Sequence, residues 1–249
     1  MINYQRNRIY ISESEQKKLS AFNVFFAGCG IGSNISECAL RLGFEKQTLV
    51  DGDTVELSNL NRQNYQQADI GVIKPEALKN RLLGINPSAE ISLRNVFLNE
   101  QNIEQYVPGH HIAVNALDFQ SDIPFKFDEL CQRHNIPVLH PYNIGWTTIV
   151  FVILPKGPNL RIISEDYKGF EEKVVSFFVE KLSPQAKEWV GLILSEYKEE
   201  AKQKEQSPPQ LSVGSWLAAG LCSNIMFRIA TGQFVKQFPD FYFVSSQDV

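Results

Sequence analysis

Apolar positions along this chain switch between two periodicities. Phe22–Ala27 (FNVFFA) is a short unbroken apolar run, the pattern of a strand buried on both faces. Glycines follow at once. Ile35, Ala39, Leu40 and Leu42 then fall at helical spacing within Ser33–Leu42, and Gly43 is placed to end that helix. Thr48–Val50 predicts a second strand, and the polar stretch Asp51–Gln67 a long loop. Pro75–Leu83 predicts a helix with proline in its first turn. Ile91–Leu93, Ile112–Ala116 and Pro137–Leu139 predict strands, with a helix over Phe125–His134. This succession implies an α/β fold, a doubly wound and mostly parallel sheet with helices on both faces.

The last third reads differently. Trp146–Leu154 (WTTIVFVIL) predicts a long strand, and Phe170–Leu182 and Pro184–Gln206 predict helices. The second of these closes in a charged run, Lys198–Glu205, the pattern of a solvated face. Ser207-Pro-Pro209 is a break. Leu211–Ile229 predicts an apolar helix and Phe241–Val244 a terminal strand. Residues 1–249 are thus expected to form one domain carrying a helical insertion at about 155–206. That insertion is rich in Lys, Glu and aromatic residues, among them Tyr167, Phe170, Phe177 and Phe178. It reads either as a partner-selecting wall near the site or as a plain structural cover.

Composition narrows the function. Hydrophobic residues make up 43% and charged residues 21% of 249 residues, which suits a globular chain. Basic residues number 24 against 28 acidic, so a protein held mainly on nucleic-acid phosphates is disfavoured. The four cysteines Cys29, Cys38, Cys131 and Cys222 form no C-x-x-C pair, which argues against a cysteine-built zinc site and a disulfide framework. No apolar run reaches the ~20 residues of a membrane span, since Ser212, Ser215, Ser223, Asn224 and Arg228 interrupt Leu211–Ile229. The polar, mixed-charge N-terminus does not read as a signal peptide. A soluble protein of the cytoplasm is expected.

Three motifs carry chemistry. The first is Ala27-Gly-Cys-Gly-Ile-Gly32-Ser33, between a strand and a helix. Gly28, Gly30 and Gly32 let backbone approach a phosphate at the free N–H groups of a helix start, in a Rossmann-like setting. A tight turn without ligand fits the same pattern. The second is Asp51, which ends the second strand nineteen residues after Gly32, where an acidic side chain can accept from ribose hydroxyls. Together they point to a nucleotide without saying which. The third is the polar string Asp51-Gly-Asp53-Thr-Val-Glu-Leu-Ser58-Asn59-Leu-Asn61-Arg62-Gln63.

That string resembles the signature of the ThiF/MoeB/HesA-type adenylyltransferases, relatives of ubiquitin-activating enzyme. The likeness continues through Gly71-Val-Ile-Lys74, Ile85-Asn-Pro87, Ala116-Leu-Asp118 and Ser212-Val-Gly214. It covers about 1–154 and 207–232, and not 155–206. The resemblance implies an enzyme that joins a carboxylate to the α-phosphate of ATP and expels pyrophosphate. Its substrate would be the C-terminus of a ubiquitin-like or sulfur-carrier protein, or a peptide. Both reactants are anions, so cations must neutralise shifting charge. By resemblance Arg62 and Lys74 hold the phosphates, Asp118 holds Mg²⁺, Asp51 takes the ribose and Asn59 contacts phosphate. Ser58, which shapes the loop, and Gln63 are counted with them as cofactor-binding, and Asp53 either binds nucleotide or braces the turn. Taken singly, Arg62 and Lys74 also read as surface charges, Asp118 as a helix cap and Asp53 as a turn residue; their ordered co-occurrence is what points to a site.

Tyr4-Gln-Arg6-Asn7 resembles the family segment whose arginine reaches the neighbouring subunit's ATP, with Arg8 a competitor for Arg6. This implies a homodimer, to which Leu211–Ile229 could contribute. The chain also departs from the pattern. Ala27 and Cys29 stand where the family usually has glycine, and the zinc-binding cysteine pairs of many members are missing. Region 155–206 holds no cysteine, so adenylation without a thioester on this chain is expected. Two other readings remain open on sequence: an NAD(P)- or FAD-dependent oxidoreductase, allowed by the glycine loop and Asp51, and a catalytically idle partner-binding subunit. A relative that adenylylates tRNA is a narrower variant.

Overall fold

A computed structural model describes residues 2–201 and 208–247. A 3₁₀ segment, Ile2–Asn7, leads to helix α1 (Glu13–Ala21), strand β1 (Asn23–Ala27), α2 (Ile31–Leu42) and β2 (Lys46–Asp51). Then come α3 (Lys74–Ile85), β3 (Glu90–Asn95), the short α4 (Ile103–Tyr106), β4 (Ile112–Asn115) and α5 (Ile123–Arg133). The chain continues through β5 (Val138–Ile144), β6 (Thr147–Ile153), α6 (Phe170–Val179), α7 (Pro184–Ala201), α8 (Ser212–Thr231) and β7 (Phe241–Ser245).

The strands form one sheet in the order β3-β2-β1-β4-β5-β6-β7. Pairs from β3 through β5 are parallel, and β6 and β7 add antiparallel. The expected doubly wound, mostly parallel sheet is what the chain forms. The order reverses beside β1, between β2 and β4, where such folds open a crevice at the carboxyl ends of the strands.

Unbroken apolar strands make sense because both faces of the sheet are buried. Val24, Phe26, Val150 and Val152 face a core with α1, α2, α3 and α8. Phe25, Ala27, Ile149, Phe151 and Ile153 face a second core with α5 and α6. Helix α8 is long and apolar enough to cross a membrane by length and composition. It instead lies on β5, β6 and α2, with Ala218, Ala219, Cys222, Ile225 and Met226 fully buried.

Differences from the sequence reading are local. Helix α1 was not foreseen, although Ser12 and Glu15 form a reciprocal capping box at its start. The N-terminal segment is docked on α2: the Tyr4 hydroxyl donates to Leu40 O at 3.2 Å, and Asn7 Nδ2 to Leu42 O at 3.1 Å. Strand β5 runs on to Ile144, past the expected end at Leu139, because the antiparallel β6 supplies partners as far as Thr147. The end of the helix predicted over Pro184–Gln206, most of its charged run and Ser207 fall on 202–207, outside the described residues.

Candidate active site

The loop after β1 turns sharply because its backbone must. Gly28 has φ of +93°, and a Cβ there would lie 2.5 Å from the carbonyl oxygen of Ala116. Only glycine allows β1 and the end of β4 to approach so closely. Gly30 precedes α2 and no side chain caps that helix, so its first N–H groups face the crevice. Asp51 reaches across from β2: its Oδ2 accepts from Cys29 N at 2.6 Å and its Oδ1 from Asp53 N at 2.8 Å. It thus braces the glycine loop as well as facing the cleft. Cys29 is buried and packs where the resemblance expects glycine, its carbonyl accepting from the Tyr65 hydroxyl at 2.7 Å.

The segment after β2 is held by its own side chains. Asn59 is buried and its Oδ1 accepts from Glu56 N, which sets the turn. Arg62 N and Gln63 N donate to Asn59 O. The Arg62 guanidinium is fixed by Ser58 O and Asn61 Oδ1, each at 2.9 Å, and by Gln210 Oε1 at 2.6 Å. Gln63 lies beside Gly30, and its Oε1 is buried without a partner among the described residues.

Lys74 opens α3. A buried lysine at a helix N-terminus opposes the helix dipole, so its position is poor for stability alone. It meets Asp53 Oδ2 at 2.8 Å, and its N–H donates to Asp53 O. Asp118 follows β4 and opens to the cleft. Desolvation by the walls lifts its carboxyl above the ordinary range; Asp53 and Asp51 push the same way, while Lys74 and Arg62 oppose. Asp118 does not cap α5, whose cap position is Asp122.

These groups share one cleft of about 820 Å³. Gly30, Asp51, Asp53, Arg62, Gln63, Lys74 and Asp118 all line it. Gly28, Gly32, Ser58 and Asn59 do not; they shape the loops from behind. Arg6 lies elsewhere. It is exposed on the segment docked at the end of α2 opposite the glycine loop, so it cannot serve its own cleft. Among the described residues no group of three or more His, Cys, Asp or Glu side chains could hold a metal. Asp118 fits Mg²⁺ only as one carboxylate completed by phosphate oxygens, a mode this ion favours.

The cleft continues against the insertion, which the sequence reading expected near the site without naming its inward residues. It is bounded by His140, Tyr142 and Trp146, by Glu171, Glu172, Val174 and Val175 of α6, and by Val190, Ile193, Leu194 and Tyr197 of α7. The insertion therefore forms a wall of the cleft. Nothing in the linear pattern of 155–206 marks which of its residues turn inward.

Comparison with known proteins places the chain. A model of the ThiF family matches residues 4–239. This chain belongs to the ThiF family. Among curated ThiF-like relatives, a molybdopterin-synthase adenylyltransferase of Haemophilus influenzae is 31% identical over 165 residues, 65% of this chain and 66% of that protein. A SAMP-activating enzyme E1 of Haloferax volcanii is 25% identical over 154 residues, 61% of this chain and 56% of that protein. A tRNA threonylcarbamoyladenosine dehydratase of Escherichia coli is 30% identical over 112 residues, 44% of this chain and 41% of that protein. The matches thus span less than two thirds of these relatives' own lengths. Escherichia coli MccB with ATP superposes at a TM-score of 0.73 with 20% identity, covering 98% of this chain and 69% of that one. At this identity the likeness shows the fold. The recognition drawn from the Asp51–Gln63 string stands.

Proposed function

We propose that this chain is an ATP-dependent adenylyltransferase. It activates the C-terminal carboxylate of a ubiquitin-like or sulfur-carrier protein, or of a peptide, as an acyl adenylate, releasing pyrophosphate. One observation carries the reading. Arg62 and Lys74, from separate segments, share a cleft with Asp51 and Asp118 at the reversal of strand order. The names of two relatives, an adenylyltransferase and an activating enzyme E1, support it.

The chemistry follows from the charges. Asp51 takes the ribose while bracing the glycine loop, and the N-terminus of α2 faces the phosphates. Arg62 supplies a fork of donors to the β- and γ-phosphates, Lys74 a point charge near the α-phosphate. In the resting cleft Gln210 and Asp53 occupy these cations and keep them placed. As the carboxylate attacks phosphorus, negative charge moves onto the leaving pyrophosphate, where both cations lower its energy. Asp118 would hold Mg²⁺, which neutralises phosphate charge when bound.

The remaining parts rest on the resemblance. The working unit is a homodimer in which Arg6 serves the partner's cleft; its exposed position and distance from its own cleft support this. No zinc is needed and no thioester forms on this chain. Burial pushes the Cys29, Cys131 and Cys222 thiols up, which opposes thiolate formation. The protein works in the cytoplasm. The relatives named tRNA dehydratases favour one second reading, a carboxylate carried on a tRNA.

ATP–pyrophosphate exchange tests the proposal. With a peptide or carrier donor, Arg62→Ala and Lys74→Ala each remove most exchange while the fold persists. Unchanged exchange in both overturns it, and exchange supported only by tRNA moves the donor to the second class.

A further inference from the structure

Where His140 lines the cleft, it pairs with Asp128 behind it, a pair that adenylation leaves without a task. His140 and Asp128 are each 1% exposed. His140 Nε2 lies 2.8 and 2.7 Å from the two carboxylate oxygens of Asp128. Asn115 Nδ2 also donates to Asp128 Oδ1, at 3.0 Å, fixing the carboxylate from a second side. A carboxylate accepts only, so in the neutral imidazole Nε2 carries the proton. That leaves Nδ1 with a lone pair and no hydrogen-bond partner among the described residues, on a side chain that lines the cleft. Beside it the Tyr142 hydroxyl is buried and unpartnered among the described residues.

A buried carboxylate that orients an imidazole, whose other nitrogen faces a reaction space, is the arrangement of a general base. Attack of a carboxylate on ATP needs no base, because carboxyl groups are already ionised at neutral pH. The pair therefore fits a following step. We propose that Asp128 and His140 accept the proton of a neutral N–H or O–H nucleophile that attacks the acyl adenylate within this same cleft. The new bond forms between the nucleophile and the acyl carbon. The bond from that carbon to the AMP oxygen breaks, and AMP leaves with the electron pair. The nucleophile's proton passes to His140 Nδ1, and Asp128 stabilises the imidazolium. The chain would then complete an acyl transfer rather than release an adenylate to a second enzyme.

This rests on the adenylation reading, and the test separates the two. Wild type, His140→Gln and Asp128→Asn are given ATP, Mg²⁺ and a set of short peptides with free C-terminal carboxylates. Pyrophosphate exchange reads adenylation. AMP release with water or the peptide's own amides as acceptor reads discharge, and a parallel arm adds hydroxylamine, a strong neutral nucleophile that needs no base. In His140→Gln the ratio of AMP release to exchange falls about 10²–10⁴-fold. Hydroxylamine restores that release to near the wild-type rate. Asp128→Asn, which leaves the imidazole in place, loses discharge in the same selective way and guards against a misfolded first variant. Equal AMP release in wild type and both variants, with exchange intact, overturns the base assignment. So does parallel loss of exchange and discharge in folded variants, which would mark the pair as bracing Asn115 and the cleft wall. If wild type shows no exchange with peptides, a carrier protein ending in a free carboxylate or tRNA, the adenylation reading falls and this inference with it.

Discussion

Replacing Lys74 by methionine separates catalysis from stability. The lysine side chain is 9% exposed and its partner Asp53 is 53% exposed. Methionine retains the apolar stem and its packing and removes only the charge. Asp53, left alone, regains water, so the lost pair is worth the figure for exposed pairs, about 0–1 kcal/mol. For a chain of this size that moves Tm by roughly 0–4 °C. The burial of a cation against the α3 dipole is relieved at the same time. Activity should respond far more. A preorganised charge removed from a transition state that moves negative charge costs about 10²–10³ in rate, or about 2.7–4 kcal/mol. Pyrophosphate exchange at saturating ATP reads the first quantity and calorimetric Tm the second. A rate within threefold of wild type would refute the role of Lys74. A Tm loss of about 8 °C or more would show that the residue is a structural member first.

Three further outcomes are expected. Gly28→Ala must hold φ of +93° and meet Ala116 O at 2.5 Å, whereas Gly71→Ala, at φ of +84°, meets nothing within 4 Å. Both pay the left-handed backbone penalty of about 1–2 kcal/mol. Gly28→Ala should unfold at clearly lower urea and lose ATP binding, and matching urea midpoints would refute the close approach. Glu37 is buried under the Arg62 loop. Burial alone would raise its carboxyl, but hydrogen bonds from Asn64, Arg81 and Arg41 hold it below the ordinary range. Its stabilisation is therefore full above the unfolded value of 4.5 and fades as pH falls through the lower folded value. Glu37→Gln should flatten the acid limb of a urea-midpoint profile, and superimposable profiles would sink this. Finally, Arg6→Ala and Lys74→Met should each be inactive alone. An equimolar mixture should regain about a quarter of wild-type exchange, since half the dimers are mixed and each holds one intact site. No recovery, or full activity in Arg6→Ala, would refute service in trans.

Apart from the helices α1 and α4, periodicity and turn chemistry determined the element order, the parallel sheet and the buried nature of α8, because burial on both strand faces leaves an unbroken apolar run. The Gly28–Gly32 turn, Asp51 and the Asp51–Gln63 string were legible for a related reason: their backbone geometry is set within a few residues. The capping box at Ser12 and Glu15 was equally local and was overlooked. What tertiary structure alone decided is which distant side chains meet. Arg62 lies 148 residues from Gln210, yet their side chains touch at 2.6 Å. His140 is one polar residue in an apolar strand until α5 brings Asp128 against it. The insertion's inward face depends on how α6 and α7 pack over the sheet. Such pairings arise from the summed burial of two cores, a quantity that no short window of sequence contains.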